Sequence, residues 1–142
     1  MEELQYEDII KLMSTNIVYT RRLDELGRIV IPIDYRNELG FVEGADISIR
    51  AINDCIILKL AKENESVATR KLDELGRIVI QKEFRMEYSW NEKDILQIYL
   101  HKDMIILKKY ENKCIFCFKE KHLEDFKGKK ICNSCKQQIS KN

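Results

Sequence analysis

Several features that mark easily recognised protein classes are scarce in this sequence. The 142 residues include one proline and five glycines, which excludes a collagen-like chain and argues against low-complexity disorder. Lysine and arginine total 25 against 24 acidic residues, so the net charge of +1 provides no global attraction to nucleic acid or to an anionic membrane. Any such attraction must come from a local arrangement of charges.

Long apolar runs are scarce as well. Near the start of the chain, the longest stretch without a formal charge covers residues 12–20, which is too short and too polar for a secretion signal or a membrane span. The sequence therefore predicts a cytoplasmic protein with no membrane partner.

An internal repeat is the clearest feature that the sequence does contain. Residues 20–31 recur as residues 69–80, and the offset of 49 residues continues without a gap to Lys59 and Lys108. About half of the 41 aligned positions are identical. Since chance does not produce such agreement, the chain contains a duplicated unit.

Each unit has the pattern of four short strands around one short helix. In the first unit, Gly27 provides the positive φ of a tight turn, which predicts a local hairpin between residues 18–23 and 28–31. Pro32 ends the second strand, and Asp34 is expected to cap a short helix that stops near Gly40. A second hairpin is expected around Asn53-Asp54. Because a unit this small cannot bury a sufficient core alone, the two units are predicted to complete each other.

The predicted organisation has five parts. Residues 1–17 contain apolar residues among acids and suggest an amphipathic helix. The first repeat covers residues 18–60, a linker covers 61–66, the second repeat covers 67–110, and a cysteine-containing tail covers 111–142.

Four of the five cysteines form two pairs in the tail, Cys114-Ile-Phe-Cys117 and Cys132-Asn-Ser-Cys135. Two C-x-x-C pairs at this separation can bring four thiolates onto one tetrahedron, which predicts a zinc site. Four protein ligands leave no open coordination position, so the zinc is predicted to be structural. With few apolar residues in the tail, the metal would supply most of its folding free energy.

Other uses of the cysteines stay open on the sequence alone. A disulfide framework, a redox-active pair and an iron–sulfur cluster are the alternatives to zinc, and His122 could replace one cysteine ligand. Cys55 lies in an apolar run outside the tail and is expected to be a buried, inert thiol. Trp90, aligned with Phe41, is expected to pack in the core.

The repeat contains motifs that point to a known family: Arg-x-Leu-Asp-Glu-Leu-Gly-Arg-Ile-Val-Ile-Pro at residues 21–32, then Arg36, Leu39-Gly40, Glu43-Gly44 and Ile56-Ile57-Leu58-Lys59. Over residues 18–60 and 67–109 the chain resembles the AbrB/SpoVT/MazE family of swapped-hairpin DNA-binding domains. With its tail, it resembles AbrB-type transition-state regulators. The resemblance implies a mainly β fold with short helices, in which two tandem repeats form one swapped-hairpin β-barrel, followed by a small four-cysteine, zinc-ribbon-like tail.

The same resemblance implies a DNA-binding protein that regulates transcription and contacts double-stranded DNA partly through its shape. The basic positions of the family fall on Arg21, Arg28, Arg36, Arg70, Arg77 and Arg85. The second copy departs from the family pattern, with Gln81 in place of proline and Tyr88-Ser89 in place of Leu-Gly.

The residues themselves suggest a weaker version of this site. On a local hairpin, Arg21 and Arg28 would be diagonal cross-strand neighbours that present two guanidinium groups on one face. Charge alone also allows both arginines to pair with Asp24, Glu25 or Glu38 on a solvated surface.

Other functions are indicated by other features. The alternative function is an antitoxin-like or adaptor protein, because the MazE branch of the family binds a protein through its C-terminal segment. An enzyme is not predicted, since the two histidines lie in separate segments and no nucleophile–base pair can be identified. A homo-oligomer and a protein partner that binds the tail remain open.

Overall fold

The computed structural model of the protein describes residues 19–63, 66–111, 113–114, 116–117, 120–126 and 129–140. The helix predicted for residues 1–17 lies outside the described residues, as does the middle of the predicted linker. The chain divides into two compact units: residues 17–110, called here the repeat unit, form one, and residues 111–142 belong to the other.

Strands dominate the repeat unit, and the two repeats contain the same elements in the same order. They are β1 (Tyr19–Arg22), β2 (Arg28–Val30), α1 (Ile33–Leu39), β3 (Asp46–Ile52), β4 (Cys55–Leu60), β5 (Ala68–Lys71), β6 (Arg77–Val79), α2 (Lys82–Glu87), β7 (Ile95–His101) and β8 (Met104–Lys109). The predicted mainly β class with short helices is therefore confirmed.

The first strand of each repeat pairs with the third strand of the other repeat. β1 is antiparallel to β7 with Tyr19 opposite Ile98, and β5 is antiparallel to β3 with Ala68 opposite Ile49. β4 and β8 pair with Ile57 opposite Ile106, which completes a six-stranded sheet in the order β1-β7-β8-β4-β3-β5. Exchanging the two repeats reverses this order and changes nothing else.

The local hairpin predicted for β1 and β2 is wrong. β2 instead pairs with β6 in a separate two-stranded sheet, with Ile29 opposite Ile78. The turn between β1 and β2 is still tight, because the Asp24 N–H donates to the Arg28 carbonyl at 3.0 Å. This turn sends the chain from the edge of the large sheet into the small one. The second predicted hairpin is confirmed, since β3 and β4 pair across Asn53 and Asp54, whose φ angles are 48° and 65°.

Helix α1 ends where its sequence predicts, but it begins one residue before the Asp34 that was expected to cap it. Pro32 occupies the N-cap position, and Gly40 ends the helix with a left-handed φ of 71°. The expected Asp34 cap is wrong, because no side chain caps this helix. The Asp34 carboxylate instead accepts a hydrogen bond of 2.6 Å from the Tyr19 hydroxyl. This bond ties the first turn of α1 to strand β1.

The core of the repeat unit is shared equally between the repeats. Its buried cluster consists, among the described residues, of eight pairs at the 49-residue offset: Leu23/Leu72, Ile29/Ile78, Ile31/Ile80, Phe41/Trp90, Ile47/Leu96, Ile49/Ile98, Ile56/Ile105 and Leu58/Leu107. The expected packing role of Trp90 is confirmed. Because both repeats contribute equivalent residues to this single cluster, neither repeat can bury its apolar residues without the other.

One buried position breaks the equivalence of the two repeats. Gln81 occupies the place of Pro32 before helix α2, its side chain is buried, and its amide oxygen Oε1 lacks a hydrogen-bond partner within the described part of the chain. An unsatisfied buried acceptor is destabilising. The φ of Gln81 is −57°, which a proline ring accepts without strain.

We therefore expect Gln81→Pro to raise the free energy of unfolding by about 1–2 kcal/mol, because it removes the unsatisfied oxygen and restricts the unfolded chain. The measurement is urea unfolding followed by the fluorescence of Trp90, the single tryptophan, which is buried in this unit. The matched variant Pro32→Gln should lower stability by a similar amount. A lower midpoint for Gln81→Pro would contradict this account.

The tail contains, within its described residues, one antiparallel strand pair and one helix. The elements are β9 (Leu123–Phe126), β10 (Lys129–Cys132) and α3 (Asn133–Ser140). Its buried cluster comprises Cys114, Ile131 and Cys132, with Leu123 and Cys135 packed against it. Such a cluster is too small to stabilise a fold alone. Among the described helices of both units, none is long and apolar enough to cross a membrane.

Candidate functional site

The small β2–β6 sheet brings arginines from the two repeats together. Arg28 lies opposite Val79 and Arg77 lies opposite Val30, so the two arginines are diagonal neighbours on one face. The backbones of such a pair are usually roughly 7–8 Å apart, within reach of long side chains. Ile29 and Ile78 point to the other face and are buried in the core. The diagonal partner of Arg28 is therefore Arg77, and not Arg21 as the local hairpin would require. We call this outward face the arginine ribbon.

Each arginine of the ribbon is held by a carboxylate of its own turn. Asp24 accepts bonds from the Leu26 N–H at 2.9 Å, the Arg28 N–H at 2.8 Å and the Arg28 Nε at 2.6 Å. Asp73 accepts the same three bonds at the same distances from Leu75 and Arg77. The ion pair with Asp24 that charge alone suggested for Arg28 is thus present. A guanidinium has five N–H donors, so an ion pair through Nε orients the group and leaves the donors of the two Nη atoms for other partners.

These bonds shift the titration of both carboxyl groups. Partial burial alone would raise the pKa of Asp24, but the N–H donors of Arg28 and Leu26 outweigh it and lower that pKa below its usual value. The same balance lowers the pKa of Asp73. A lowered folded-state pKa stabilises the fold above the unfolded-state pKa, and this contribution is lost as the pH falls through the folded-state value. Both turns are therefore more stable at neutral pH than in acid.

Arg21 and Arg70 occupy the two edge strands of the large sheet. Arg21 donates to the Thr20 carbonyl at 2.8 Å, and its Cζ lies 5.5 Å from the centre of the Tyr19 ring. Arg70, on β5, donates to the Thr69 carbonyl at 3.1 Å. All three contacts are with residues of the same strand as the arginine.

Arg36 and Arg85 lie against the turns of the opposite repeats. The Arg36 Nε donates to the Ile31 carbonyl at 2.9 Å, and a Cβ added to Gly76 would lie 2.6 Å from that Nε. The Arg85 Nε donates to the Ile80 carbonyl at 2.8 Å, and a Cβ added to Gly27 would lie 2.6 Å from the Arg85 Cζ. With a larger residue at either position, the guanidinium group would have to move.

Two glycines and two aspartates around the arginine ribbon make contacts that go beyond what the sequence predicts. The sequence gives Gly27 a conformational role and allows Asp24 to pair with Arg28, but it predicts neither the guanidinium group over each glycine nor the three N–H donors that meet each aspartate. A signal for both existed, because all four residues are identical between the repeats at positions where neighbouring residues also vary little. Identity between the repeats marks the whole turn, however, and does not show which of its residues make these contacts.

The four cysteines of the tail form a second candidate site. Their Sγ atoms all lie within 4.8 Å of one another, and the four thiols are free of disulfides. A zinc ion with four Zn–S bonds of about 2.3 Å requires sulfurs roughly 3.8 Å apart. The Phe116 N–H donates to the Cys114 Sγ, and the Cys135 N–H donates to the Cys132 Sγ, both at 3.4 Å. Backbone donors of this kind stabilise thiolates, so the residues present fit a divalent metal.

Titration of these thiols also favours a cation. Burial would raise the pKa of Cys114, but backbone N–H groups of Cys117, Cys132 and Phe116 lower it to about 6. In contrast, hydrogen bonding to Cys132 and burial raise the pKa of Cys135. Four thiols this close together cannot all lose their protons at neutral pH unless a positive charge lies among them.

Two other residues considered in the sequence take no part in this cluster. His122 is exposed and supplies only its carbonyl, which accepts a bond of 3.1 Å from the Asn133 N–H. Cys55 is fully buried in β4, as expected, and burial raises its pKa to about 11, which disfavours the reactive thiolate.

Comparisons with known proteins bear on the repeats. No family model matches the chain. Over 53 residues the chain is 55% identical to the transition state regulatory protein AbrB of Bacillus subtilis (strain 168), a match that covers 37% of this chain and 53% of that protein. The chain thus spans about half the length of this relative, and the predicted resemblance to AbrB-type proteins is confirmed over that stretch. The solution structure of PHS018 from Pyrococcus horikoshii matches with a TM-score of 0.41 and 22% identity, covering 66% of this chain and 91% of the other.

Proposed function

We propose that this protein is a transcriptional regulator that binds duplex DNA through arginine side chains of its repeat unit. The observation that carries the proposal is the arginine ribbon, on which Arg28 and Arg77 from different repeats share one outward face. The resemblance to the AbrB/SpoVT/MazE family implies DNA binding by these residues. The name of the 55% identical relative, a transition state regulatory protein, supports a regulatory role.

The chemistry of the arginine ribbon suits phosphate groups. Two oriented guanidinium groups offer paired donors to anionic oxygens, and their ion pairs with Asp24 and Asp73 fix the direction of each group before binding. Arg21 and Arg70, on the two edge strands, are proposed as further contacts. Contacts of this kind position a protein on DNA without reading bases, so we propose that shape and deformability of the duplex contribute to recognition.

The proposal includes a swapped-hairpin barrel that closes within one chain. Pairing of β1 with β7, of β5 with β3 and of β2 with β6 supports it, because all three pairs join the two repeats of the same chain. The shared core supports it further. A single chain would then present both halves of the DNA-binding face, with Arg28 and Arg77 related by the repeat.

We propose a structural zinc ion in the tail, bound by Cys114, Cys117, Cys132 and Cys135. Bound zinc would neutralise part of the thiolate charge and hold the two C-x-x-C pairs together. The spacing of the four sulfurs supports this assignment. The alternative antitoxin-like or adaptor function would use the tail to bind a protein, and it is one outcome of the DNA-binding test.

The test is a fluorescence-anisotropy titration of the full chain with several unrelated labelled duplexes at low salt. We expect binding to all of them, and we expect the double variant Arg28→Ala/Arg77→Ala to bind each one at least tenfold more weakly, because two phosphate contacts are lost. Arg50→Ala, in strand β3, is the matched control and should bind like the parent. Native mass spectrometry gives the number of chains in the complex.

If the folded double variant binds duplex DNA as well as the parent does, the arginine ribbon is not the DNA-binding site. If the parent itself does not bind, the regulator proposal fails and the protein-partner alternative replaces it. Trp90 fluorescence and circular dichroism establish that each variant is folded.

A further inference from the structure

We infer that Arg36 and Arg85 are positioning residues that act across the repeats, so that Arg36 orients Arg77 and Arg85 orients Arg28. This inference rests on the proposed function, but it gives these two arginines a different role from the direct phosphate contact that the family resemblance implies. Four arginines would then contact DNA, and two would hold the turns that present the arginine ribbon.

The first support is the contact between each guanidinium and the opposite turn. Arg36 belongs to α1 of the first repeat, and its guanidinium covers Gly76 in the turn of the second repeat, where an added Cβ would lie 2.6 Å from both Nε and Nη1. Arg85 covers Gly27 in the same way, at 2.6 Å from Cζ and 2.7 Å from Nε. Gly27 and Gly76 are buried even though their turns lie at the surface. The arginines therefore form the cover of these turns.

The second support is a hydrogen-bonded path from each arginine to the same turn. The Arg36 Nε donates to the Ile31 carbonyl, and the Ile31 N–H donates to the Gly76 carbonyl at 2.9 Å. The Arg85 Nε donates to the Ile80 carbonyl, and the Ile80 N–H donates to the Gly27 carbonyl at 2.9 Å. A single isoleucine in each repeat thus links the arginine of its own helix to the glycine of the other repeat.

The third support is the place of each glycine directly before an arginine of the ribbon. Gly76 precedes Arg77, whose Nε is held by Asp73 at the start of the same turn. The turn takes a left-handed φ of 77° at Gly76, a conformation that glycine permits but does not by itself enforce. The guanidinium of Arg36 fills the space beside this glycine. Loss of that group would let the turn relax, and the direction of Arg77 would become less fixed.

The two roles of Arg36 differ in what a lysine can replace. A phosphate contact depends mainly on charge, so Arg36→Lys should keep most of the affinity and the salt dependence. A positioning role depends on the flat guanidinium and on the Nε donor, which lysine lacks. We therefore expect Arg36→Lys to weaken DNA binding as much as Arg36→Ala, by about tenfold, with the salt slope of the parent retained in both.

Double-variant cycles test the path across the repeats. In the Arg77→Ala background, Arg36→Ala should weaken binding less than twofold, because the residue that it orients is already gone. In the Arg28→Ala background, Arg36→Ala should still weaken binding by about tenfold. A loss of stability alone would not distinguish the two backgrounds. The reciprocal cycle uses Arg85→Ala with Arg28→Ala and Arg77→Ala.

A readout without DNA keeps this inference separate from the proposed function. Amide hydrogen exchange of Arg36→Lys should speed up in residues 74–77 and stay unchanged in residues 25–28. The inference would be overturned if hydrogen exchange changed equally in both turns or in neither. It would also be overturned if Arg36→Lys kept the affinity of the parent while Arg36→Ala gave a shallower salt slope. Failure of the parent to bind any duplex would overturn the proposed function, and hydrogen exchange would still decide whether Arg36 holds the opposite turn.

Discussion

Chelation of zinc is expected to unfold residues 111–140 while residues 19–110 stay folded. Among its described residues, the buried cluster of the tail is two cysteines and Ile131, which cannot offset the entropy of ordering about thirty residues. Zinc bound by four thiolates contributes an apparent ~10–16 kcal/mol in small zinc domains, so we expect metal binding and folding to be one event in the tail. The repeat unit has its own core of paired residues and contains none of the four cysteines.

Hydrogen exchange followed by mass spectrometry, before and after treatment with a strong chelator, measures this difference along the chain. Peptides from the tail should exchange as an unstructured chain does after chelation, and peptides from the repeat unit should keep their protection. Native mass spectrometry should find one zinc per chain in the parent and in Cys55→Ala, the matched control, and none in Cys132→Ala. The control removes a buried thiol that lies in strand β4 of the repeat unit.

Two results would contradict this account in different ways. Loss of protection throughout the chain would show that the tail is integral to the fold of the repeat unit. A purified protein that holds no metal and has paired disulfides would reject the zinc assignment itself.

Raising the salt concentration from 50 to 200 mM is expected to weaken duplex DNA binding by about a hundredfold. Each phosphate contact contributes roughly −0.9 to the slope of log affinity against log salt. Four direct contacts, from Arg21, Arg28, Arg70 and Arg77, give a slope of about −3.6. If Arg36 and Arg85 also contacted phosphates, six contacts would give about −5 and a loss of roughly a thousandfold.

The measurement repeats the anisotropy titration at several salt concentrations for the parent and for single variants. Arg28→Ala and Arg77→Ala should each make the slope shallower by about 1, and they should weaken binding to every duplex to a similar degree. Arg50→Ala should leave the slope unchanged. A salt-independent affinity would mean that phosphate contacts do not carry the binding, whatever its strength.

Much of this protein could be predicted from local patterns. The 49-residue repeat, the positive φ at Gly27, the β3–β4 turn at Asn53-Asp54 and the end of α1 at Gly40 all depend on residues close together in sequence. The spacing of the two C-x-x-C pairs was enough to predict that the four tail cysteines lie close together. In each case the residue types restrict the backbone or the ligand directly, so little is left for tertiary structure to choose.

The partners of strands β1 and β2 could not be predicted in this way. A strand that alternates apolar and polar residues can pair with any neighbouring strand that continues the sheet, provided that its apolar face is covered. The turn at Asp24 to Gly27 is compatible both with a closed local hairpin and with the observed passage from one sheet to another. Only burial of the whole core, which takes one residue of each pair from each repeat, selects the second arrangement.

Residues close together in sequence thus specify the repeated unit, its turns and the two C-x-x-C pairs, independently of the rest of the chain. Only the folded chain places Arg28 beside Arg77 and lays the guanidinium of Arg36 over Gly76, forty residues further along the chain. These contacts join residues of different repeats, and no local pattern encodes the partner of a surface arginine. Their physical origin is the exchange of strands between the repeats, which the shared core makes necessary.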